Sequence, residues 1–460
     1  MYQYFRRSVA AAALNAGTGA GNQRKTAMEA DIISKHGRSS KSQMSRGNLI
    51  FLVAVITLFS AATVSCDWLE EQTKTIDVTG VTLNETSVSI EIGGTLTLVE
   101  TVAPEDATEK GVTWASSNSN VASVQNGVVT GVSAGSATIT VTTNNGNKTA
   151  TCQVTVSPKI ETFVYVAGSE GNRAVLWVNG QAQYLTDGTV STQANSVFVS
   201  GNDVYVAGFE TGNNGTAKLW RNGELQNLAT TGNLSHALSV YVAGNDVYVA
   251  GYQYYYDDEH DMYAATVWRN GVSEILAGPY HNWDWATSVF VSGSNVHVVG
   301  TGYWRNGALQ NILTWDTRGT LNSVFVEGSD IYIVGGLSTT SQNTSIAALI
   351  KNGTRQNLTN GTRQAVAEDV FVTGSNVYVV GRENNQQGNS VATLWTNNQP
   401  QTLTNGSANA SANSVHVQAD DVYVAGHDGN RAVLWKNGTV QNLTTGSAEA
   451  KANSVFVVVR

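Results

Sequence analysis

The amino-acid sequence predicts an all-β protein in which a small β-sandwich is followed by a seven-bladed β-propeller. Three observations support this prediction. The phrase "VYVAG", or a variant of it, recurs and ends each time at a glycine: Gly168, Gly208, Gly251, Gly300, Gly335, Gly381 and Gly426. An Asn-Gly or Asn-Asn pair follows in every copy. The chain also ends on "ANSVFVVVR", a copy of the strand that precedes every unit except the first.

Each unit contains four short strands, and the units recur every 35 to 49 residues. This period with four strands per unit is typical of propeller blades. The turn between the third and fourth strands is Asn-Gly in six units, and Asn-Gly supports the positive φ angles of a two-residue type I′ hairpin. The predicted turns are Asn179-Gly180, Asn222-Gly223, Asn270-Gly271, Asn306-Gly307, Asn352-Gly353 and Asn437-Gly438, with Asn397-Asn398 in the remaining unit.

The strand pattern and the chain ends predict how the propeller, residues 161–460, is closed. Strands such as "SVFV" and "VYVAG" are apolar at odd and even positions alike, as in sheets covered on both faces. We expect Asn453–Val459 to be the innermost strand of the first blade, which closes the ring and removes an exposed edge. Six units also carry a third-strand Trp, with Ile350 in the seventh, and we interpret these residues as packing: Trp177, Trp220, Trp268, Trp304, Trp395 and Trp435.

Residues 76–157 show about seven short alternating strands separated by turn signals, which fits an Ig-like sandwich. The stretch "VTWASSNSNVASVQNGVVTGVSAGSATITV", with Trp114, Val121, Gly127, Gly131 and Gly135, resembles the group 2 bacterial Ig-like family of surface proteins and adhesins. The resemblance covers about 80 residues. It implies a spacer or an adhesive module and does not choose between them.

The N-terminal residues 1–66 read as a leader, with translation expected to begin at Met44. Arg46 precedes an apolar core from Leu49 to Phe59, which is too short for a comfortable membrane span. The ending "ATVSC" resembles a bacterial lipobox, which implies lipidation of Cys66; an ordinary cleaved signal is the alternative. The acids Asp67, Glu70 and Glu71 lie in the predicted tether of residues 67–75, which resembles the acidic tether of Bacteroidetes surface lipoproteins. This implies an outer-membrane, surface-exposed location with the lipid anchor as the only membrane contact.

Composition narrows the choice of partner. Only 13% of the 460 residues are charged, and the formal net charge is −9. Such a chain offers no basic surface for nucleic acid. We expect a monomer that binds a glycan or a surface protein.

The candidate binding residues are those that break the repeat. In a propeller, the loop between the second and third strands and the link to the next blade emerge on one face, here called the top face. Aromatic and acidic residues are concentrated in the top loop of the third unit and in the next two links, and exposed rings beside carboxylates suit sugar recognition. The predicted site comprises Tyr252, Tyr254, Tyr255, Tyr256, Asp257, Asp258, His260, Tyr280, His281, Trp283, Asp284, Trp285, Trp315, Asp316 and Arg318.

Several alternatives remain open. The rings could pack on one another to stabilise long loops, and the protein could be a structural spacer or adhesin without a small ligand. "DDEHD" at residues 257–261 has enough carboxylates for Ca²⁺ but no EF-hand spacing, so we expect no cofactor. Asp258 and Asp284 could form an acid/base pair of a polysaccharide-active enzyme. In the absence of other catalytic motifs, we expect a non-enzyme.

Overall fold

The structure is a computed structural model, and it describes residues 74–211, 215–228, 234–256, 261–276, 283–312, 317–339 and 344–460. All regular secondary structure in these ranges is β-strand, in agreement with the predicted all-β class. Within the same ranges, no helix is long and apolar enough to cross a membrane.

Nine strands build the N-terminal unit: β1 (Gly80–Leu83), β2 (Ser87–Glu91), β3 (Thr95–Thr97), β4 (Glu100–Ala103), β5 (Val112–Ser116), β6 (Ala122–Gln125), β7 (Val128–Gly131), β8 (Gly135–Thr143) and β9 (Thr149–Ser157). They form a four-stranded sheet in the order β2-β9-β8-β5, a three-stranded sheet β3-β7-β6 and a pair β1-β4. Trp114 packs against a core that includes Leu98, Ile139 and the free thiol of Cys152, which is fully buried.

The rest of the chain forms seven four-stranded sheets. The first contains β10 (Thr162–Glu170), β11 (Arg173–Val178) and β12 (Gln181–Tyr184); the second β13 (Thr192–Ser200), β14 (Asp203–Glu210), β15 (Thr216–Arg221) and β16 (Glu224–Gln226). The third contains β17 (Leu234–Ala243), β18 (Asp246–Tyr256), β19 (Asp261–Arg269) and β20 (Val272–Ile275); the fourth β21 (Ala286–Ser292), β22 (Asn295–Gly300), β23 (Tyr303–Arg305) and β24 (Ala308–Gln310).

The fifth sheet contains β25 (Thr317–Glu327), β26 (Asp330–Thr339), β27 (Ile346–Lys351) and β28 (Thr354–Asn357). The sixth contains β29 (Ala365–Thr373), β30 (Asn376–Asn384), β31 (Ser390–Thr396) and β32 (Gln399–Thr402). The seventh contains β33 (Ala410–Gln418), β34 (Asp421–Asp428), β35 (Arg431–Lys436) and β36 (Thr439–Asn442), and β37 (Ala450–Val459) ends the chain.

The C-terminal strand completes the first sheet, as predicted. β37 pairs antiparallel with β10, with Phe456 opposite Tyr165, and the sheet order is β12-β11-β10-β37. The innermost strand of each sheet contacts that of the next, and the series returns from β33 through β37 to β13. The result is a propeller-like arrangement in which both ends of the repeat region share one sheet.

Seven aromatic side chains, one from each innermost strand, contact one another in a closed circuit. Neighbouring ring centroids lie 4.7 to 5.0 Å apart. In circuit order the members are Phe198, Tyr241, Phe290, Phe325, Phe371, His416 and Phe456. We call this set the aromatic ring. It is the apolar centre around which the seven sheets are arranged.

Serine hydroxyls connect the innermost strands beside the aromatic ring. The Oγ of Ser196 accepts a hydrogen bond of 3.1 Å from the amide N–H of Val240 in the next sheet. The Oγ of Ser414 does the same for Val455, at 3.2 Å. Equivalent bonds are made by Ser239, Ser288 and Ser454. The repeated serine therefore satisfies an amide on the open edge of the neighbouring innermost strand.

The glycine that ends each "VYVAG" phrase is explained by a close approach of two backbones. Each innermost strand has a β-bulge, which in the third sheet falls between Ala237 and Ser239. A Cβ atom on Gly251, opposite this bulge, would lie 1.9 Å from the carbonyl oxygen of His236. Such a distance is a severe clash, so only a glycine fits.

The predicted turns and packing residues are also observed. The first Asn of each of the seven hairpin turns has φ between 49° and 53°. Its side-chain oxygen accepts an amide hydrogen bond, as Asn270 does from Val247 at 2.9 Å. The six third-strand tryptophans and Ile350 are at most 3% exposed. They are core residues and do not form a ligand-binding surface.

Candidate functional site

The third and fourth sheets meet at the top face through a direct backbone contact. Tyr263, in β19, and Trp283, in the link before β21, form an isolated parallel β-bridge. The amide N–H of Asp284 donates a hydrogen bond of 2.8 Å to the carbonyl oxygen of Tyr263. The backbone therefore holds the link against the long hairpin of the third unit.

This contact brings four rings together. Tyr263 lies 5.1 Å from Trp283, 5.2 Å from Tyr254 and 5.6 Å from Tyr252 between ring centroids. Three of these rings, all except Tyr263, belong to the predicted site. Trp283 is 57% exposed, so it is the ring that presents the most open surface to solvent.

The row of rings continues into the second sheet. His236, in β17, lies 4.8 Å from Tyr252 and stacks on Phe209 at 3.6 Å with an interplanar angle of 12°. The whole set is called the aromatic cluster: Phe209, His236, Tyr252, Tyr254, Tyr263 and Trp283. It spans the second and third sheets and the link to the fourth.

A hydrogen bond fixes the inner part of the aromatic cluster. The hydroxyl of Tyr252 lies 2.6 Å from Nδ1 of His236. Burial lowers the pKa of His236 to about 4 and raises the pKa of Tyr252 to about 12 because both charged forms are disfavoured away from water. At neutral pH both groups are uncharged, and the imidazole tautomer decides which of them donates the hydrogen bond. The pair positions these two rings.

The carboxylate of Asp284 is buried, whereas a ligand-binding carboxylate was expected to be exposed on the top face. Its side chain is only 3% exposed. It accepts a hydrogen bond of 2.8 Å from the hydroxyl of Thr301, in the short top loop of the fourth unit. The amide N–H of Thr301 also donates to the carbonyl oxygen of Trp285, at 3.1 Å. Asp284 and the backbone of Trp285 thus hold that short loop against the link.

Other predicted residues cannot be placed in the cluster. Asp257, Asp258, His260, Tyr280, His281, Trp315 and Asp316 lie outside the described residues, as does Cys66. Tyr255 and Tyr256 are described as backbone only, where they extend the pairing of β18 with β19. Arg318 is exposed near the start of β25. The predicted site is therefore observed in part.

Phe209 and His236 were not among the residues predicted from the sequence. Phe209 directly follows the glycine of "VYVAG" in the second unit, as Tyr252 does in the third. His236 pairs with Tyr252 across β17 and β18. The missing signal was positional, because the residue after this glycine carries a ring of the aromatic cluster in both the second and the third sheet.

The opposite face has two open clefts next to hairpin turns. One, of about 500 Å³, is lined by residues that include Asp246, Arg269 and Asn306, and another, of about 730 Å³, by residues that include Asp203 and Arg221. Arg221 pairs with Asp203 at 2.6 Å, and Arg269 pairs with Asp246. Their charges are satisfied within each hairpin, so these clefts are weaker candidates.

No metal centre is present in the described ranges, where no group of three or more His, Cys, Asp or Glu residues is placed to hold an ion. Residues 257–260 of the acidic stretch considered for Ca²⁺ lie outside those ranges. The aromatic cluster consists of uncharged rings.

Comparison with solved structures gives distant matches. A protein of unknown function from Bacteroides thetaiotaomicron VPI-5482 aligns over 84% of this chain and 99% of its own, with a TM-score of 0.36 and 10% identity. TolB from Acinetobacter baumannii aligns over 70% of this chain and 79% of its own, also with a TM-score of 0.36 and 10% identity.

Sequence relatives match one segment of the chain. An Ig-like virion protein of Serratia phage KSP90 is 45% identical over 84 residues, 18% of this chain and 33% of the relative. An alpha-L-arabinofuranosidase of Bifidobacterium longum is 46% identical over 89 residues, and a lacto-N-biosidase of Bifidobacterium bifidum is 43% identical over 97. These two alignments cover 17% and 20% of this chain and 8% of each relative. The chain thus spans a third or less of these relatives.

A family model locates the similarity. The model of the bacterial Ig-like domain (group 2) matches residues 77–154. These residues contain β1 to β8 and most of β9, and their sheets enclose the core around Leu98 and Ile139. Residues 77–154 are therefore a bacterial Ig-like domain of group 2.

Proposed function

We propose that this chain is a non-catalytic binding module that recognises a glycan through the aromatic cluster of its top face. The exposure of Trp283, which is 57% open to solvent yet fixed in place, is the observation that carries the proposal. A pyranose offers an apolar face that stacks on such a ring, while its hydroxyl groups seek hydrogen-bonding partners around it.

The orientation of Trp283 is set before any ligand arrives. Its backbone bridges to Tyr263, and its ring packs on the Tyr263 ring at 5.1 Å. The next residue, Asp284, is held by the Thr301 hydroxyl. A ring fixed in this way loses little conformational entropy when a ligand stacks on it, which favours binding.

The relatives of the Ig-like domain add support. Two of them are named as enzymes that act on glycans, an arabinofuranosidase and a lacto-N-biosidase. The shared segment is the Ig-like domain, so the likeness supports a glycan-rich setting for this domain type. It does not support catalysis here, and the buried Asp284 carboxylate is poorly placed to act as a general acid or base.

The proposal is tested by glycan-array binding of the wild type, Trp283→Ala and Tyr184→Ala. Tyr184 is a matched control because it is an aromatic residue 49% exposed in the outermost strand of the first sheet. We expect Trp283→Ala to lose binding and Tyr184→Ala to retain it. Equal binding by all three proteins would place the site elsewhere, and no binding by the wild type would favour a protein partner or a spacer.

The wider architecture belongs to the same proposal. We infer that the seven sheets are the blades of a monomeric β-propeller closed by β37, which the pairing of β10 with β37 supports. The Ig-like domain then acts as a spacer between the propeller and a lipid on Cys66 at the bacterial outer-membrane surface. Metabolic labelling with an alkyne fatty acid tests the anchor, since Cys66→Ala should abolish labelling. Protease treatment of intact cells tests exposure.

A further inference from the structure

The innermost strand of the sixth sheet, β29, differs in sequence from the innermost strands of the other sheets. In four of these strands, Asn lies three residues and Ser two residues before the member of the aromatic ring. These pairs are Asn195-Ser196, Asn322-Ser323, Asn413-Ser414 and Asn453-Ser454. The third and fourth sheets keep the serine and replace the asparagine with Leu238 and Thr287. The sixth sheet has Glu368-Asp369 instead. It alone places two ionisable groups here.

Asp369 performs the task that serine performs elsewhere. Its carboxylate accepts hydrogen bonds from the hydroxyl of Ser323 at 2.6 Å and from the amide N–H of Val415 in the next sheet at 3.0 Å. Burial raises the pKa of Asp369. A serine satisfies the same amide in other sheets, so the fold does not require a carboxylate at this position.

Glu368 cannot perform the task of the asparagine it replaces. Asn413, for example, donates its side-chain amide to the carbonyl oxygen of Ala452 in the next sheet, at 2.9 Å. An ionised Glu368 has no proton to donate. It instead accepts a hydrogen bond of 3.0 Å from Asn322 and forms an ion pair with Arg382, at the top end of β30.

This ion pair is largely withdrawn from water but remains accessible. The Glu368 side chain is 22% exposed and that of Arg382 is 39% exposed. Burial raises the pKa of Glu368, and the Arg382 charge opposes that shift. Burying charged groups is costly, and replacing such a pair with well-packed hydrophobic residues is often neutral or stabilising. The repeat supplies the neutral alternative, Asn-Ser, in the same chain.

The pair presents donors and acceptors side by side. Nη1 of Arg382 bonds to Glu368 and lies 3.4 Å from the hydroxyl of Ser411. Nε and Nη2 of Arg382 have no partner among the residues that the structure describes. The guanidinium can donate to one hydroxyl group, and the carboxylate beside it can accept from the neighbouring hydroxyl group. Because the two charges cancel, the arrangement suits a neutral polyhydroxyl compound better than an anion.

We propose that Glu368 and Arg382 form a hydrogen-bonding subsite for sugar hydroxyl groups at the top of the sixth sheet. The inference rests on the proposed function, in which Trp283 stacks on the same glycan. Trp283 lies in the link to the fourth sheet, and the fifth sheet separates that sheet from the sixth. Face-packed sheets are spaced about 10 Å apart, so we expect an oligosaccharide that reaches both groups.

The test restores the repeat pattern with Glu368→Asn/Asp369→Ser. Calorimetric titration would use neutral xylo-, manno-, cello- and arabino-oligosaccharides of one to six units. We expect the melting temperature at pH 7 to be unchanged or higher, because the Arg382 side chain is 39% exposed and water can solvate its charge when Glu368 is removed. Affinity for the longest bound oligosaccharide should fall at least about tenfold, the scale of one lost charged hydrogen bond, while any monosaccharide binding is unaffected.

The outcomes separate this subsite from the proposed function. Loss of binding in Trp283→Ala with full binding in the double variant would overturn the subsite and leave the proposed function standing. A wild type that binds none of these sugars would overturn both. A fall in the melting temperature of the double variant would show that the carboxylates are needed for the fold, and that would overturn the subsite as well.

Discussion

Phe198 and Phe456 lie near the two ends of the repeat region, yet their ring centroids are 4.8 Å apart. Phe198 belongs to the second sheet and Phe456 to the C-terminal strand β37. On its other side, Phe456 contacts His416 of the seventh sheet at 4.7 Å. The last strand of the chain thus completes the aromatic ring, and the stability of all seven sheets should depend on it.

Deleting residues 452–460 should lower the melting temperature by roughly 10 °C. The deletion removes the buried Val455 and Val457, and each buried Val contributes about 1.5–3 kcal/mol. Differential scanning calorimetry of the truncated and full-length chains measures the difference. Lys451→Ala, at an exposed position in the same strand, is the control and should melt with the wild type. An unchanged melting temperature after truncation would refute the role of β37.

Replacing His416 with the phenylalanine found at most other positions of the aromatic ring should make the protein less sensitive to acid. Burial lowers the pKa of His416 from 6.5 to about 4. A neutral His416 therefore contributes stability above pH 6.5 that is lost as the pH falls towards 4. At pH 5 the loss is about 2 kcal/mol, and His416→Phe should avoid it.

Urea unfolding of the wild type and His416→Phe at pH 7.5 and pH 5 tests this prediction. His236 has a lowered pKa for the same reason and titrates in both proteins, so the wild type and the variant will both lose some stability. The difference between them should grow on acidification. A constant difference would mean that His416 titrates normally in the folded protein.

Gly251→Ala should destabilise the protein by roughly 3 kcal/mol or more. The added methyl group would lie 1.9 Å from the carbonyl oxygen of His236, which is held in the bulge. Gly80→Ala is the control, since a Cβ there meets nothing within 4 Å. Chemical denaturation should show a change below about 0.5 kcal/mol for Gly80→Ala. Equal effects of the two changes would contradict the account of the repeated glycine.

Tyr252→Phe should reduce stability without altering glycan binding. The change removes the 2.6 Å hydrogen bond to His236 and leaves a half-buried imidazole nitrogen unpaired, at a cost of about 1–3 kcal/mol. Thermal melts and array binding on the same samples give both readouts, with Tyr184→Phe as the matched control. Binding lost at unchanged stability would mean that the Tyr252 hydroxyl contacts the ligand.

Much of the architecture could be predicted because the same sequence signals occur in all seven repeat units. The Asn-Gly pairs specify their turns locally, and the burial of Trp268 and its counterparts follows from their fixed place in a strand. The pairing of β37 with β10 follows from the one strand that the first unit lacks. In each case a local signal and the repeat point to the same structure.

The site was less predictable because a loop sequence does not tell which way its side chains point. Asp284 looks like a surface acid, yet the Thr301 hydroxyl holds it inside. His236 stacks on Phe209 from a neighbouring unit, a contact that no spacing along the chain reveals. The sequence shows that Glu368 breaks the repeat, because "AEDVFV" replaces the "ANSVFV" of other units. Its pairing with Arg382 becomes apparent only when β29 and β30 are placed side by side.

The pairing of β10 with β37 in the first sheet also determines when the protein can finish folding during its synthesis. The inner edge of β10 has no partner until β37 has been synthesised. Any chain that stops early exposes that edge to proteases and to pairing with other strands. The synthesis of β37 and the completion of the propeller-like arrangement therefore coincide, so only a chain that contains β37 protects the inner edge of β10.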